Sequence, residues 1–340
     1  MSIEPVSVAV VGCGYWGPNL IRNLSICPDT RVSMVCDLDT EALERAGRIC
    51  PTARLVRGFD EVLASRDVDA VVIATPIAMH ADLARAVLEA GKHVLVEKPL
   101  ADRRDAAAEL IRLADERGLT LMVDHTFVYS PPVTMVKNIV DSGELGEIYY
   151  IDSVRINLGL IQNDVNVLWD LAPHDLSIVE FLLGRQPESV AAFGTCHTGD
   201  GGLEDVAYMN LDFGSGLMAT FHVNWLSPVK IRNFMIGGSK KSLVYNHLNH
   251  AEPVKVYDRG ITIAADSDAR RGVLINYRSG DVWTPYVDQS EALQFMVAEF
   301  ATCVRDGKRP LTDGGAGLRV VTTLEAAQQS LENSGQRIVL

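Results

Sequence analysis

The sequence contains no long apolar run and no closely spaced pair of cysteines. No apolar stretch approaches the roughly 20 residues that a helix needs to span a bilayer. The six cysteines are scattered and form no C-x-x-C pair, a pattern typical of free thiols in a reducing compartment. Met1–Pro5 leads straight into a strand-like segment, which leaves no room for a targeting segment. We therefore expect a cytoplasmic protein that does not bind membranes.

Positive charge is also scarce in this chain. Its 340 residues include 31 Lys and Arg against 44 Asp and Glu, a formal net charge of −13. Because nucleic-acid surfaces need clustered Lys and Arg, we expect no nucleic-acid partner. An anionic small molecule remains an open possibility, since one local Arg or Lys suffices to bind it. The length and the 47% hydrophobic content predict two domains that need no disulfide or metal for stability.

The first 125 residues alternate between short Val- and Ile-rich runs and helical patterns. Strands are predicted at Val6–Val11, Val32–Cys36, Ala70–Ala74, His93–Val96 and Leu121–Val123. Helices are predicted at Pro18–Ile26, Thr40–Cys50, Phe59–Ser65, Ala78–Ala90 and Asp102–Arg117. Asp39, Asp60 and Asp102 are the expected N-caps of three of these helices. Such alternation predicts a doubly wound, parallel α/β Rossmann domain over residues 1–125.

Residues 126–340 have a different pattern, in which strands gather together. Strands are predicted at Ile148–Ile156, Ser189–Gly194, Val206–Phe213, Leu217–Trp225, Ile231–Gly237 and Ser242–Tyr245, and helices at Val133–Ser142, Leu168–Leu183, Glu291–Asp306 and Gly317–Asn333. Phe213–Gly216 is expected to form a hairpin turn, and Gly199–Gly202 and Gly314–Gly317 are expected to be loops. This pattern predicts an α+β domain with an open-faced, mainly antiparallel sheet.

The first predicted strand runs into a G-x-G-x-x-G motif that opens a helix. Gly12 permits a tight turn, Gly14 lets the backbone approach a pyrophosphate, and Gly17 allows close packing of helix on strand. The N–H groups around Tyr15 and Trp16 would face the phosphates at the helix N-terminus. The position of the motif at the first strand–helix junction predicts a dinucleotide site.

Asp37 ends the second strand, 20 residues after Gly17. A carboxylate at this place binds the ribose hydroxyls of NAD and repels a 2′-phosphate, so NAD is favoured as cofactor. Arg45 and Arg48, further along, keep NADP as a less favoured option. Thr75 and Pro76 end the third strand at the carboxyl edge of the sheet, where we expect them to flank the cofactor.

The fourth predicted strand ends in Glu97-Lys98-Pro99. At the carboxyl edge of a dinucleotide-binding sheet, both Glu97 and Lys98 are expected to contact the cofactor. The Lys98 ammonium could stabilise a developing alkoxide and transfer a proton. The Lys98–Pro99 bond is a candidate for a cis peptide.

Asp170 and His174 stand four residues apart, which on a helix places them on one face. Pro173 fits best in a first helical turn, so Asp170 could instead belong to the preceding turn. An imidazole beside a carboxylate is a good proton acceptor near neutral pH. A surface ion pair is the ordinary alternative. We expect no metal here, because no third ligand stands at a suitable spacing.

These motifs together resemble the glucose–fructose oxidoreductase and inositol dehydrogenase family over essentially the whole chain. The marks of the resemblance are Gly12–Gly17, Glu97–Pro99, Ser142–Gly146 and Asp170–His174. Three further segments resemble the nucleotide-sugar 3-dehydrogenases: Gly14–Leu20, Asn224–Arg232 and Gly237–Lys241. The resemblance implies that Lys98 and His174 flank the hydroxyl being oxidised and that Asp170 supports them. It also implies a sheet face used for self-association, hence a homodimer or homotetramer.

The expected substrate is a sugar oxidised at a ring hydroxyl, with C3 of a nucleotide-linked sugar favoured. Arg155, Asn157 and Arg232 are the expected substrate contacts in the second domain, because arginine can bind a phosphate or carboxylate through two hydrogen bonds. A surface or interdomain ion pair is the alternative for each arginine. Three other functions stay open: an inositol or sugar-phosphate dehydrogenase, a reductase of nucleotide-linked 3-ketosugars, and an inactive dinucleotide-sensing regulator. Ketosugar reductases of the family often carry tyrosine where His174 stands. Val273–Thr284 matches no pattern and could hold contacts peculiar to the substrate.

Overall fold

A computed structural model of the chain describes residues 4–159, 161–198, 202–263 and 275–340. Met1–Pro5, Gly199–Gly202 and Val273–Thr284 fall partly outside the described residues. The chain divides into two compact units. The first unit consists of Met1–Ser130 and Ser290–Glu325, and the second of Pro131–Gln289 and Ala326–Leu340. The expected boundary at residue 125 puts residues 290–325 in the second domain, whereas in the structure these residues pack in the first unit although they follow the second in the chain.

The described part of the first unit contains a six-stranded parallel sheet in the order β3-β2-β1-β4-β5-β6. Its strands are β1 Val6–Val11, β2 Thr30–Cys36, β3 Arg54–Val56, β4 Ala70–Ile73, β5 His93–Glu97 and β6 Leu121–Asp124. All residues of β1, β4 and β6 are buried, as expected of strands covered by helices on both faces. The predicted Rossmann fold is confirmed.

Helices follow the first five of these strands, namely α1 Gly17–Ile26, α2 Thr40–Ile49, α3 Phe59–Ala64, α4 His80–Glu89 and α5 Arg104–Arg117. Of the three expected N-caps only Asp39 is confirmed, with its side chain accepting a hydrogen bond from the N–H of Glu41. Asp60 lies inside the first turn of α3, whose N-cap is Gly58. The N-cap of α5 is Arg103, and Asp102 lies one residue before it.

The second unit is built on a mixed sheet, in which nine strands are described, in the order β14-β13-β12-β11-β7-β10-β9-β8-β15. Its strands are β7 Ile148–Leu158, β8 Ser189–Thr195, β9 Val206–Asp212, β10 Met218–Asn224, β11 Leu226–Gly238, β12 Ser242–Asn246, β13 Val254–Ile263, β14 Ile275–Trp283 and β15 Ile338–Val339. Strands β7 and β10 pair in parallel, whereas the other described neighbours in this sheet are antiparallel. Residues of β9 and β10 alternate between buried and more exposed positions, so one face of the sheet packs and the other stays open. The predicted hairpin between β9 and β10 is confirmed, with Gly214, Ser215 and Gly216 at positive φ.

The remaining described helices are α6 Pro131–Asp141, α7 Val167–Leu183, α8 Ala292–Asp306 and α9 Gly314–Glu332. Helix α7 packs on β7, β9 and β10 within the second unit. The expected loop at Gly314–Gly317 is wrong, because these residues form the first turn of α9. Gly314 and Gly317 lie so close to the side chains of β6 that a Cβ on either would come within 2.8 Å of Leu121 or Val123. The glycines therefore permit close packing of helix on strand rather than a loop.

All six cysteines lie in the described part of the chain and are free thiols. Among the described helices, none is both long and apolar enough to cross a membrane.

Candidate functional site

The glycine-rich segment forms the turn between β1 and α1. Gly12 has a φ of +94°, and a Cβ added to it would lie 2.5 Å from the carbonyl oxygen of Ala74. A Cβ on Gly17 would collide with the carbonyl oxygen of Gly12, so this turn can close only with glycine at both positions. Gly14 is exposed, and no described atom lies within 4 Å of the place of its Cβ. That open space fits the close approach of a pyrophosphate to the backbone.

Tyr15 and Trp16 lie directly before α1, so their N–H groups are near the positive end of the helix dipole. The Tyr15 side chain is exposed, whereas Trp16 is half-buried. The indole Nε1 of Trp16 donates a hydrogen bond of 3.1 Å to Oδ2 of Asp124, at the end of β6. Asp124 is not among the residues expected from the sequence, although it ends a strand at the same carboxyl edge as Lys98.

Asp37 follows β2 and is half-buried. Its Oδ2 accepts a 2.6 Å hydrogen bond from the N–H of Cys13, and its Oδ1 accepts one of 2.8 Å from the N–H of Asp39. Each carboxylate oxygen can accept a second bond, so the group can still receive two ribose hydroxyls. Arg57, which no sequence motif marks, reaches the same loop, where its guanidinium donates to the carbonyl oxygen of Leu38. Arg45 is exposed, with its guanidinium 4.0 Å from Asp39.

Just after β4 lies a hydroxyl group that forms no hydrogen bond with the described residues. Thr75 Oγ1 is buried and has no hydrogen-bond partner among the described residues. Pro76, next to it, is exposed and precedes a 3₁₀ turn at Ile77–Met79. His80 is buried, and its two ring nitrogens lie 2.8 Å from the carbonyl oxygens of Thr75 and Pro99, which ties the ends of β4 and β5 together. An unsatisfied buried hydroxyl beside an open glycine turn fits the polar groups of a dinucleotide.

Glu97 and Lys98 stand at the end of β5 and are both half-buried. The Lys98–Pro99 peptide bond is cis, as predicted. The ammonium of Lys98 lies near the imidazoles of His80 and His125 and contributes to lowering the pKa of each, although burial is the larger cause. Glu97 pairs in register with Asp124 of β6. The expected cofactor contacts of β1, β2, β4 and β5 thus follow strand ends at one edge of one sheet.

Helix α7 carries both Asp170 and His174 in the second unit. Asn166 is the N-cap, and its side chain accepts hydrogen bonds from the N–H groups of Leu168 and Trp169. Asp170 therefore lies in the first turn and not in a preceding turn. The helix continues through Pro173, so His174 stands one turn later on the same face. Both Asp170 and His174 are half-buried.

Trp225 fixes the carboxylate of Asp170. Its indole Nε1 donates a 3.0 Å hydrogen bond to Asp170 Oδ2, and the Trp225 side chain is buried. The residue lies between β10 and β11, inside a segment that marks the resemblance to nucleotide-sugar dehydrogenases. A sequence signal for Trp225 is therefore present, but it does not indicate which residue the indole contacts.

Arg155 of β7 is already engaged within the protein. Its Nε and Nη2 donate hydrogen bonds of 2.7 and 2.6 Å to the two oxygens of Asp175, and both side chains are almost fully buried. Since Asp175 follows His174, this ion pair connects β7 to α7 directly beside the expected catalytic residue. This pair is buried within the second unit, so it is neither a substrate contact nor the surface or interdomain ion pair that is the alternative for Arg155.

Asn157 and Arg232 lie side by side near this ion pair. Nη2 of Arg232 donates a 2.8 Å hydrogen bond to Asn157 Oδ1, and Arg232 is directly opposite Arg155 in the β7–β11 register. The N–H of His247 bonds to the carbonyl oxygen of Arg232. Burial, followed by the charges of Arg155 and Arg232, lowers the pKa of His247 to about 4, so its ring is neutral at pH 7. No sequence pattern points to His247.

The structure thus brings together the expected substrate and proton-transfer residues of the second unit, and separately the expected cofactor residues of the first. Lys98 lies in the first unit, and Asp170 and His174 lie in the second. Within the described residues, no three His, Cys, Asp or Glu side chains are grouped as metal ligands would be.

Known protein families match a segment in each of the two units. Residues 6–125 match the oxidoreductase family with NAD-binding Rossmann fold, and residues 133–244 match the GFO/IDH/MocA C-terminal domain. Over 197 residues the chain is 32% identical to a dTDP-3,4-didehydro-2,6-dideoxy-alpha-D-glucose 3-reductase from Streptomyces violaceoruber. That match spans only 54% of this chain and 56% of the reductase.

Two further relatives match along nearly the whole chain. An inositol 2-dehydrogenase from Rhizobium meliloti is 25% identical over 97% of this chain and 98% of its own length. The structure of a UDP-N-acetylglucosamine 3-dehydrogenase from Acidithiobacillus ferrooxidans shares the fold, with a TM-score of 0.78, 24% identity, and coverage of 97% of this chain and 99% of that chain. With both domain matches in chain order, the chain belongs to the GFO/IDH/MocA family of oxidoreductases and has its NAD-binding Rossmann domain.

Proposed function

We propose that this protein is an NAD-dependent dehydrogenase that oxidises a secondary ring hydroxyl, at C3, of a nucleotide-linked sugar. His174 accepts the hydroxyl proton, Lys98 stabilises the alkoxide that forms, and Asp170 orients the two. Bound NAD supplies the hydride acceptor. The cofactor contacts are those at the sheet edge, namely Gly12, Gly14, Tyr15, Trp16, Gly17, Asp37, Thr75, Pro76, Glu97 and Lys98.

The observation that carries the proposal is the fixed carboxylate on α7. Asp170 and His174 are placed one turn apart by a capped helix, and the buried indole of Trp225 holds Asp170 from the side. A carboxylate can orient a general base such as His174 only if the carboxylate is itself held in place. A surface ion pair would not need a buried tryptophan to position its carboxylate.

Asn157 and Arg232 are the residues proposed to bind the substrate away from the reacting carbon. Both are half-buried and joined by a hydrogen bond, so the guanidinium is held in a defined direction. A held guanidinium can donate two parallel hydrogen bonds to a phosphate or carboxylate. Arg155 has a different role, because its charge is balanced by Asp175; it anchors the helix that carries His174.

A second candidate is the reverse reaction on a related substrate. The 32% identical relative is named a 3-reductase of a dTDP-linked ketosugar, which favours a nucleotide-linked substrate and also a reductase. Histidine at position 174, where such reductases often have tyrosine, favours oxidation. The substrate screen below also tests the two other functions, namely an inositol or sugar-phosphate dehydrogenase and an inactive dinucleotide-sensing regulator.

The test is a substrate screen that follows NADH absorbance. Purified protein with NAD is given UDP- and dTDP-linked sugars, free inositols and hexose phosphates, and the reductase is tested with NADH and 3-ketosugars. Lys98→Met and His174→Asn should each lower kcat by about 100-fold or more. Lys308→Met and His250→Asn, which change the same residue types elsewhere, should leave kcat unchanged. Near-normal kcat in both active-site variants, or NADH binding without turnover of any substrate, would contradict the proposal.

The open face of the second unit's sheet is the proposed surface for a homodimer or homotetramer. Phe193 and Tyr208 are paired across β8 and β9, and more than half of each is exposed. The ring of Tyr208 also stacks on His222 of β10, with centroids 4.3 Å apart. Exposed aromatic rows of this kind are typical of protein–protein contacts.

A further inference from the structure

Asp124 is a buried carboxylate that accepts hydrogen bonds from two other segments of the first unit. Only 2% of the residue is exposed. Its Oδ2 accepts the 3.1 Å bond from the indole of Trp16, beside the glycine-rich turn. Its Oδ1 accepts a 3.1 Å bond from the N–H of Thr126 and a further bond from the hydroxyl of the same residue. Burial, the largest cause, raises the pKa of Asp124, and the three donors on its carboxylate act in the opposite direction, in favour of the charged form.

Glu97 adds a second carboxyl group to this cluster. It is the register partner of Asp124 across β5 and β6, so the two carboxyl groups stand side by side at neighbouring strand ends. Two carboxyl groups at neighbouring positions do not both ionise readily, because their like charges repel, so the pair retains one proton. Because the three donors already point at Asp124, the proton resides on Glu97. Burial first, and the Asp124 charge second, raise the pKa of Glu97 well above its ordinary range, while the Lys98 ammonium opposes this.

The other titratable groups described near the pair are two histidines and a lysine. Burial lowers the pKa of His125 to about 3, and both of its ring nitrogens lack a partner among the described residues. Burial also lowers the pKa of His80, which bridges the ends of β4 and β5. Both rings are therefore neutral at alkaline pH. Lys98 supplies the other charge beside Glu97, and substitution can separate the effects of the two residues.

We propose that Asp124 and the protonated Glu97 form a positioning pair that holds the Trp16 end of the glycine-rich turn in place beside Lys98, and that tight binding of NAD requires the single proton of this pair. Loss of that proton would place two like charges face to face at the strand ends. Repulsion would separate β5 from β6 at this edge and release Trp16. The pair therefore makes cofactor affinity fall as the pH rises, independently of the sugar substrate.

The first experiment measures the Kd of NADH by its fluorescence from pH 6 to pH 10. For the wild type we expect the Kd to rise with pH, by up to about tenfold per pH unit above the pKa of the pair. Glu97→Gln should give a flat profile, because the introduced amide donates to Asp124 at every pH. Asp124→Asn should raise the Kd of NADH about tenfold at all pH values. Its NH₂ group would replace one acceptor oxygen and so face a donor of Thr126 or Trp16 without forming a hydrogen bond. Glu109→Gln, a carboxyl-to-amide change in an exposed ion pair on α5, should follow the wild type.

Lys98→Met separates the pair from the lysine. If this variant flattens the profile and Glu97→Gln does not, the titrating group is the lysine and the proposal is overturned. Retention of the pH dependence in Lys98→Met, together with its loss in Glu97→Gln, supports the pair.

The second experiment needs no cofactor. A group whose pKa is raised by folding stabilises the protein fully below its ordinary pKa and loses that contribution as the pH rises towards the folded value. The wild type should thus lose stability relative to Glu97→Gln as the pH rises above the ordinary pKa of a glutamate, seen as a growing Tm difference in favour of the variant. Parallel Tm and Kd profiles of these two proteins would show that no proton is shared. This comparison stands even if Asp124→Asn does not fold.

Discussion

Replacing Asp175 with alanine should destabilise the protein by about 3–5 kcal/mol. The Arg155 side chain is 5% exposed and that of Asp175 6%, and two hydrogen bonds of 2.6 and 2.7 Å join them. Asp175→Ala removes the carboxylate that binds a buried guanidinium through two hydrogen bonds, and breaking a buried pair in this way costs about 3–5 kcal/mol. An exposed ion pair would cost at most about 1 kcal/mol. The predicted effect is thus well separated from that of a surface contact.

Urea denaturation, followed by tryptophan fluorescence, measures this loss. With an m-value of about 2–3 kcal/mol per molar, the midpoint should fall by about 1–2 M urea. The double variant Arg155→Met/Asp175→Leu removes both charges and fills the space with apolar atoms, so it should recover most of the loss. Lys137→Met/Asp141→Leu, which removes an exposed pair on α6, is the matched control and should shift the midpoint little.

The same variants decide the role of Arg155 in the active site. If Arg155 only anchors α7, the double variant should retain the KM of the sugar substrate within about threefold. A rise of tenfold or more in KM with normal stability would return Arg155 to the substrate contacts that the sequence predicts. A loss of 1 kcal/mol or less in Asp175→Ala, or a double variant as unstable as the single one, would refute the reasoning from burial.

Two further predictions concern the cofactor and self-association. Asp37→Asn keeps an acceptor for the N–H of Cys13 but loses the negative charge. The Kd of NADH should therefore rise about tenfold and discrimination against NADPH should fall, as measured by fluorescence titration of both cofactors. Unchanged discrimination would mean that Asp37 only shapes the loop. Tyr208→Ser on the open sheet face should lower the molar mass measured by light scattering. Tyr286→Ser, which changes an exposed tyrosine outside the sheet, should not. Equal masses for both variants and the wild type would mean that self-association does not use this face.

The first unit can be predicted almost completely from the sequence because its pattern is set by burial. β1, β4 and β6 are covered on both faces, so each appears as a continuous apolar run. β3 escapes prediction, since only Val56 of its three residues is buried. In the second unit β13 and β14 escape prediction because charged residues such as Asp258 and Arg278 pair across them. Tyr277 of β14 is 80% exposed, so no apolar alternation marks these strands.

The residues of the candidate site also differ in how far the sequence predicts them. Lys98, Asp170 and His174 can be selected because strand ends and helical spacing are local properties of the sequence. Trp225 and Asp124 cannot be assigned partners, because their contacts join positions 55 and 108 residues apart. Such contacts are decided by strand order and register, which a single sequence does not display.

Hydrogen-bonding capacity separates the residues that serve the fold from those able to serve a ligand. The sequence favours Arg155 as a donor for an anion, but it already gives two hydrogen bonds to Asp175. The sequence signal for Thr75 is weaker, yet its buried hydroxyl is satisfied by no described residue. Asp37 stands between them, with one bond accepted at each oxygen and room for another. Because an unsatisfied buried group costs about 1–3 kcal/mol, the fold keeps Thr75 Oγ1 unbonded at a free-energy cost that a bound ligand would recover. Among the expected contacts of the first unit, Thr75 and Asp37 therefore have side-chain hydrogen-bonding capacity left for NAD.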